Sequence, residues 1–306
     1  KYLNAPHAHE VIFTSGTTDG INLVADTLSL SGKITNGDRI LISGLEHHSN
    51  IVPWQMLCER TGATLDVIPV TDSGEWDLRD IDSLLTEKTK LVAVNQVSNA
   101  LGTINPIDIL IAKAKKLGAW TLIDGAQSTP HMPIDVQAIG CDFFVFSGHK
   151  TYAPTGIGIL WGRTELLEML PPWRGGGEMI KEVTFEKTTY NELPFKYEAG
   201  TPNIEGGIAL AAALDWMQDI GLDTIAAHED KLLKIATEAI SEIDGIKFYG
   251  TAANKASVLS FGIEGVHHFD LGTLMDQMGV GIRTGHHCCQ PLMQRFGITG
   301  TTRASF

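Results

Sequence analysis

The 306 residues carry 43% hydrophobic and 19% charged side chains and a formal net charge of -13. That length exceeds one small core and implies a large unit with a smaller one, while the negative charge argues against nucleic acid or anionic membrane as a partner, since either needs a basic face. Four cysteines, Cys58, Cys141, Cys288 and Cys289, are too few and too irregularly spaced for a disulfide framework, and no apolar run approaches the roughly 20 residues of a membrane span, so a cytoplasmic enzyme or docking protein is expected.

The opening Lys1-Tyr2-Leu3-Asn4-Ala5-Pro6-His7 has no signal-peptide character, and both ends of the chain read as cut. Glu10-Val11-Ile12-Phe13 is a short strand, followed by Thr14-Ser15-Gly16-Thr17-Thr18-Asp19-Gly20 and an apolar-periodic helix from Ile21 to Leu28. Small hydroxyl residues at a strand-to-helix turn expose backbone N–H groups to an anion such as phosphate, although a plain helix cap has the same composition. A strand over 39–43, the turn Glu46-His47-His48-Ser49-Asn50 and a helix through Trp54 and Leu57 come next. Strand 65–70, helix 78–85, strand 90–94 with the turn Gln96 to Gly102, and helix 107–117 continue the alternation. This alternation predicts a doubly wound, mostly parallel α/β sheet, with ligands bound beyond the carboxyl ends of its strands.

Two strand ends then carry chemistry. Trp120-Thr121-Leu122-Ile123-Asp124-Gly125-Ala126-Gln127 reads as a buried strand ending in a carboxylate. Phe143-Phe144-Val145-Phe146-Ser147-Gly148-His149-Lys150 is another, ending in a small polar turn that delivers a lysine. A carboxylate and then an amine on neighbouring strand ends are what pyridoxal phosphate needs, one for its pyridine nitrogen and one for its aldehyde. A strand over 156–161 follows, then a long irregular excursion through Pro171 to Asn203, of a kind that is usually functional or interfacial. A helical stretch over 206–244, broken near Gly221, leads to a strand at 257–263, a helix at 270–278 and the closing Gly281-Ile282-Arg283-Thr284-Gly285-His286-His287-Cys288-Cys289-Gln290.

The His-His-Cys-Cys run invites a zinc reading, but adjacent side chains diverge and the usual spacing between ligands is missing, so no metal is expected. Two packed core cysteines are the other bland reading. Against it, Arg283 and the imidazoles make surroundings suited to a thiolate, which makes Cys288 a candidate nucleophile.

Together, Thr17-Thr18-Asp19-Gly20-Ile21-Asn22-Leu23, Glu46 to Trp54, Asp124-Gly125-Ala126-Gln127, Ser147-Gly148-His149-Lys150 and Arg283 to Cys288 resemble, in order and spacing, the SufS-type (group II) cysteine desulfurases. These are class V members of the fold-type I pyridoxal-phosphate enzymes. The resemblance runs along the whole chain, without the family's N-terminal segment and last helix. It implies a cofactor-binding unit over 1–212 and a smaller α+β unit over 213–306 that carries the catalytic cysteine.

The resemblance also implies roles. Lys150 would hold the cofactor and move the substrate's Cα proton, Asp124 would keep the pyridine nitrogen protonated, Gln127 would bond the ring hydroxyl oxygen, and His47 would stack on the ring. Thr18, Ser147 and His149 would bind phosphate, with Thr17 beside them, and Thr201 would reach the phosphate of a partner subunit. Asn99 and Arg303 would hold the substrate carboxylate, with Arg283 in support. The implied reaction converts L-cysteine to L-alanine with a persulfide on Cys288, passed by a homodimer to a SufE-like acceptor for iron–sulfur cluster assembly.

His48 and His131 read as structural histidines, Cys58 and Cys141 as packing, and Asp19 and Glu46 as supports. Two features depart from the family. Cys289 stands where a small non-thiol residue is common, so it could accept sulfur or oxidise with its neighbour, and His267-His268-Phe269-Asp270 replaces His-Pro-His-Asp, which favours a thiol acceptor over a zinc-bound one. Alternative readings are a selenocysteine lyase acting on L-selenocysteine, another class V reaction, or a non-catalytic sulfur carrier or scaffold.

Overall fold

The computed structural model describes residues 1–306. Strand β1 (Val11–Thr14) feeds helix α1 (Thr17–Leu30), then β2 (Arg39–Ser43), α2 (Val52–Thr61), β3 (Thr64–Ile68), α3 (Ile81–Leu84) and β4 (Thr89–Asn95). Helix α4 (Ile107–Leu117), β5 (Trp120–Asp124), α5 (Val136–Ile139), β6 (Phe143–Ser147), β7 (Gly158–Gly162) and α6 (Thr164–Met169) complete the first half. Seven strands form one sheet in the order β1-β7-β6-β5-β4-β2-β3. Only β7 runs against the rest, pairing antiparallel with both β6 and β1. The expected mostly parallel α/β sheet is therefore present.

Alternation along the central strands builds the two layers. In β6, Phe144 and Phe146 join the core cluster shared with α4, while Phe143 and Val145 join the one shared with α1 and α2. Every residue of β6 is buried, as a strand covered by helices on both faces must be. Packing is tight where β5 ends. A Cβ placed on Gly125 would lie 2.0 Å from Phe144 Cζ, so only glycine lets the chain turn there. Gly125→Ala is expected to cost about 3 kcal/mol through overpacking, seen as a lower urea midpoint with unchanged slope.

Three expectations need correction. The helix expected over 78–85 shrinks to the single turn α3, because Asp77 accepts the Arg79 N–H and guanidinium and holds that stretch in a local turn. Helix α1 starts at Thr17, earlier than expected, so the Thr-Thr-Asp run is its first turn. The excursion after Pro171 is not wholly irregular, since β8 (Ile180–Val183) and β9 (Thr188–Tyr190) pair as an antiparallel hairpin; largely exposed on both faces, it has no apolar alternation to announce it.

The expected helical break is sharp: α7 (Ile204–Ile220) and α8 (Leu222–Ser241) meet at Gly221, whose φ of 90° favours glycine. Beyond α8, β10 (Ile246–Tyr249), β11 (Val258–Ile263), α9 (His268–Gln277), β12 (Arg283–Gly285), α10 (Gln290–Arg295) and β13 (Thr301–Ser305) follow. They form a four-stranded sheet, β10-β11-β13-β12, antiparallel throughout. No helix is long and apolar enough to cross a membrane.

Candidate active site

The parallel strands β2, β4, β5 and β6 present their carboxyl ends to one edge, and a cavity of about 550 Å³ lies there. Its walls hold Thr17, Thr18, His47, Asn99, Asp124, Gln127, Ser147, His149, Lys150, Arg283 and Arg303. Of the predicted site residues only Cys288 and Thr201 are not among them. Asn95, which was not predicted, ends β4 directly opposite Asp124 of β5 and also faces the cavity. Its place was legible by the rule that exposed Asp124, namely a polar residue closing a buried strand.

At one end the cavity offers an anion site. Thr17 donates its N–H to Ser147 Oγ at 2.8 Å, and the two hydroxyls share a hydrogen bond of 2.8 Å. The N–H groups of Thr18 and Asp19, in the first turn of the 14-residue α1, have no partner within the chain. Gly16 sits before them at φ 148°, and a Cβ there would press on Ser147 Oγ at 3.1 Å. Free N–H groups, hydroxyls and the helix dipole converge as a phosphate requires. Asp19 is a support, as expected: it accepts the Ser15 N–H at 3.0 Å and pairs with Arg174 at 3.0 Å. Thr201 is exposed in a separate depression beside Asp19 and Asn203, so within one chain it is apart from this phosphate site.

Further in, Asp124 and Lys150 face the same space without pairing. Burial raises the Asp124 pKa although Lys150 and the Ala126 N–H oppose the shift. Burial also lowers the Lys150 pKa, helped by Arg303 and Arg283 and opposed by Asp124. An amine pushed toward neutrality can bind an aldehyde and take a proton, and a buried carboxylate with an unused oxygen can hold a pyridine N–H. Together with the anion site, these groups fit pyridoxal phosphate.

His47 meets the cavity from the turn after β2. Its Nδ1 accepts the Ser49 N–H at 3.1 Å and lies 2.8 Å from Ser49 Oγ, so the neutral ring carries its proton on Nε2. Burial, then the Lys150 charge, lower its pKa to about 4. Behind it Glu46 is fully enclosed and accepts from Ser43 Oγ at 2.5 Å, Asn50 Nδ2 at 2.7 Å and the Asn95 N–H at 3.1 Å. Burial pushes its pKa up to about 8 against those donors. The support reading of Glu46 thus has a geometry: it ties the His47 turn to the end of β4.

Cys288 lies in the turn between β12 and α10, where both His287 and Cys288 have positive φ, 53° and 57°. Such consecutive left-handed non-glycine residues are strained and persist only where surroundings hold them. Here His48 donates its N–H to Cys288 O at 2.8 Å and accepts the Gln290 N–H on Nε2 at 3.1 Å. Asn99 Nδ2 donates to His287 O at 2.7 Å. The structural reading of His48 is correct, and what it secures is the cysteine turn. Arg283 reaches both the cavity and Cys288, with its guanidinium 3.9 Å from Sγ. Across the β12/β13 ladder Arg283 stands directly opposite Arg303, and neither makes an ion pair with a carboxylate. Like charges opposite one another are unfavourable until an anion bridges them.

His131 is likewise structural, its Nδ1 2.8 Å from Glu229 Oε2 of α8. Both also line the cavity. Glu229 was missed, since a glutamate inside a helical stretch carries no signal of its own.

His287 gives the fold a pH dependence. Burial, then Arg303 and Arg283, lower its pKa to about 3, below the unfolded value of about 6.5. The unfolded chain therefore binds the extra proton first, and stability is lost as pH falls through 6.5, down to about pH 3. At pH 4 this group alone costs roughly 3 kcal/mol. His287→Gln is expected to shrink the difference between urea midpoints at pH 7 and pH 4.

Comparison with known proteins agrees with the geometry. The aminotransferase class V family model matches residues 1–306. A probable cysteine desulfurase of Xylella fastidiosa (strain 9a5c) is 51% identical over 99% of this chain and 72% of its own. The cysteine desulfurase of Dickeya dadantii is 48% identical over 99% and 74% respectively. Among solved structures, the Escherichia coli cysteine desulfurase CsdA superposes with a TM-score of 0.95 at 40% identity, over 100% of this chain and 76% of that one. The chain belongs to the class V aminotransferase family of pyridoxal-phosphate enzymes, among its cysteine desulfurases.

Proposed function

We propose that this desulfurase takes the sulfur of L-cysteine onto Cys288, with Lys150 as the proton-moving base and residues 1–212 and 213–306 as the cofactor-bearing and cysteine-bearing units. The observation that carries this is Arg283, whose guanidinium faces the Lys150 cavity and lies 3.9 Å from Cys288 Sγ. One charge thereby serves both the place where substrate binds and the sulfur that attacks it.

Pyridoxal phosphate, when bound, supplies an aldehyde for an amine and a ring that draws electrons from the bonds of the neighbouring carbon. Thr17, Thr18, Ser147 and His149 hold its phosphate, Asp124 and Gln127 its ring edge, and His47 its face. Arg303, Arg283 and Asn99 receive the substrate carboxylate, for which paired guanidinium donors are suited. Lys150 Nζ, depressed in pKa by burial, takes the Cα proton and, once the sulfur has left, returns a proton to Cα. Cys288 Sγ then attacks the substrate sulfur. An S–S bond forms as the Cβ–sulfur bond breaks, the electron pair stays with Cβ, and Cβ takes up a proton to become the methyl group of alanine.

The exposed position of Thr201, beside Asp19 and away from its own cavity, supports a homodimer in which it serves the partner's site. A SufE-like thiol acceptor, use of the sulfur in iron–sulfur assembly and a cytoplasmic setting complete the proposal. Holoenzyme given L-cysteine without acceptor is expected to yield alanine and protein-bound sulfane sulfur in equal amounts during the first turnover. Pyruvate as the product contradicts the reading.

A further inference from the structure

Cys289 is a buried thiol beside the site that the reaction above leaves without a task. It is fully buried, and its Sγ lies 3.0 Å from Asn99 Oδ1. The same amide is fixed from its other end, because Nδ2 donates to the carbonyl of His287 at 2.7 Å. Turning the amide over would set two oxygens against each other at that distance, so Oδ1 must face the sulfur. A sulfur that close to a carbonyl oxygen has to donate its proton.

We propose that Cys289 is a positioning residue for substrate binding: its S–H locks the Asn99 amide so that one Nδ2 proton holds the cysteine turn and the other faces the cavity for the substrate carboxylate. The inference rests on the carboxylate role given to Asn99 above. It also settles what Cys289 does not do. A thiolate at Sγ would place negative charge against Oδ1, a persulfide would leave Sγ with no proton to donate to it, and burial pushes the thiol up to about 12. The persulfide therefore stays on Cys288, and the vicinal thiol is no relay. The Asn99 backbone is anchored separately, since Arg303 Nη1 donates to its carbonyl at 2.6 Å, so losing the S–H loosens only the side chain.

Removing the donor leaves Oδ1 buried without a partner and the amide held by its Nδ2 bond to His287 O alone, which loosens the tilt of its second N–H toward the cavity. In holoenzyme, Cys289→Ala is expected to raise KM for L-cysteine about ten-fold with kcat within about two-fold, the loss of roughly one charge-assisted hydrogen bond. Cys289→Ser, which keeps a donor, is expected to restore KM to within about two-fold. A Cys289→Ala enzyme with wild-type KM, a serine variant no better than alanine, or sulfane sulfur mapped to Cys289 in the wild-type protein overturns the proposal. Asn99→Ala separates the layers: if it raises KM while Cys289→Ala does not, only the thiol's role fails; if it leaves KM unchanged, the carboxylate reading fails and takes this inference with it.

Discussion

Lys150→Ala stops alanine formation from L-cysteine, lowering the initial rate by at least about 10⁴-fold, the combined loss of a covalent anchor and a general base. Lysine at this position combines features that no other residue type supplies. It follows a strand buried along its whole length, so the amine is delivered rigidly. Burial and the charges of Arg303 and Arg283 push its pKa down, so a neutral amine is available. Lys150→Arg is expected to be equally inactive, because a guanidinium keeps its proton and the base is lost even though the charge remains. Both variants are checked by chromatographic assay of alanine and by absorbance at about 420 nm, which an enzyme unable to hold the cofactor aldehyde lacks.

Cys288→Ala separates the second half of the reaction from the first. Persulfide is expected to vanish and alanine formation to fall by about 10²- to 10³-fold, while the cofactor absorbance is kept, because no cofactor-facing group is removed. Cys288→Ser keeps the size of the side chain and is expected to be as inactive, since an alcohol is a poor nucleophile toward sulfur without a base positioned on it. The turn itself should survive. The bonds that hold it come from His48, Asn99 and Thr301 to backbone and to His287, and none uses Sγ. Loss of both persulfide and cofactor absorbance would instead mean that Cys288 is structural.

What the sequence showed and concealed follows from the range of the interactions. The Phe143–Lys150 strand and turn and the Asp124 strand are local patterns, each a run of buried residues closed by a polar one, and they stand where expected, whereas the Thr17–Gly20 run belongs to the first turn of α1. Strands β10, β12 and β13 were not legible. β12 has three residues and β10 four, and only pairing within the four-stranded sheet marks them and β13 as strands. The same holds for the pairing of Arg283 with Arg303 and for the bond from Cys289 to Asn99, which spans 190 positions. Glu46 read as a support without a named partner; that it joins β2, its following turn and β4 depends on β4 lying next to β2. Cys58 and Cys141 behave as packing residues, with burial raising their pKa to about 11 and about 12.

The central claim is that a sulfur leaves L-cysteine and arrives on one named atom, Cys288 Sγ. The most direct measurement is a single-turnover reaction of the holoenzyme with L-cysteine, trapped by alkylation and resolved by peptide mass spectrometry, with alanine measured in the same sample. One added sulfur on Cys288, none on Cys289, Cys141 or Cys58, and one alanine per persulfide is the result this account predicts. Alanine formed with Cys288 unmodified, or sulfur found first on another cysteine, would contradict it.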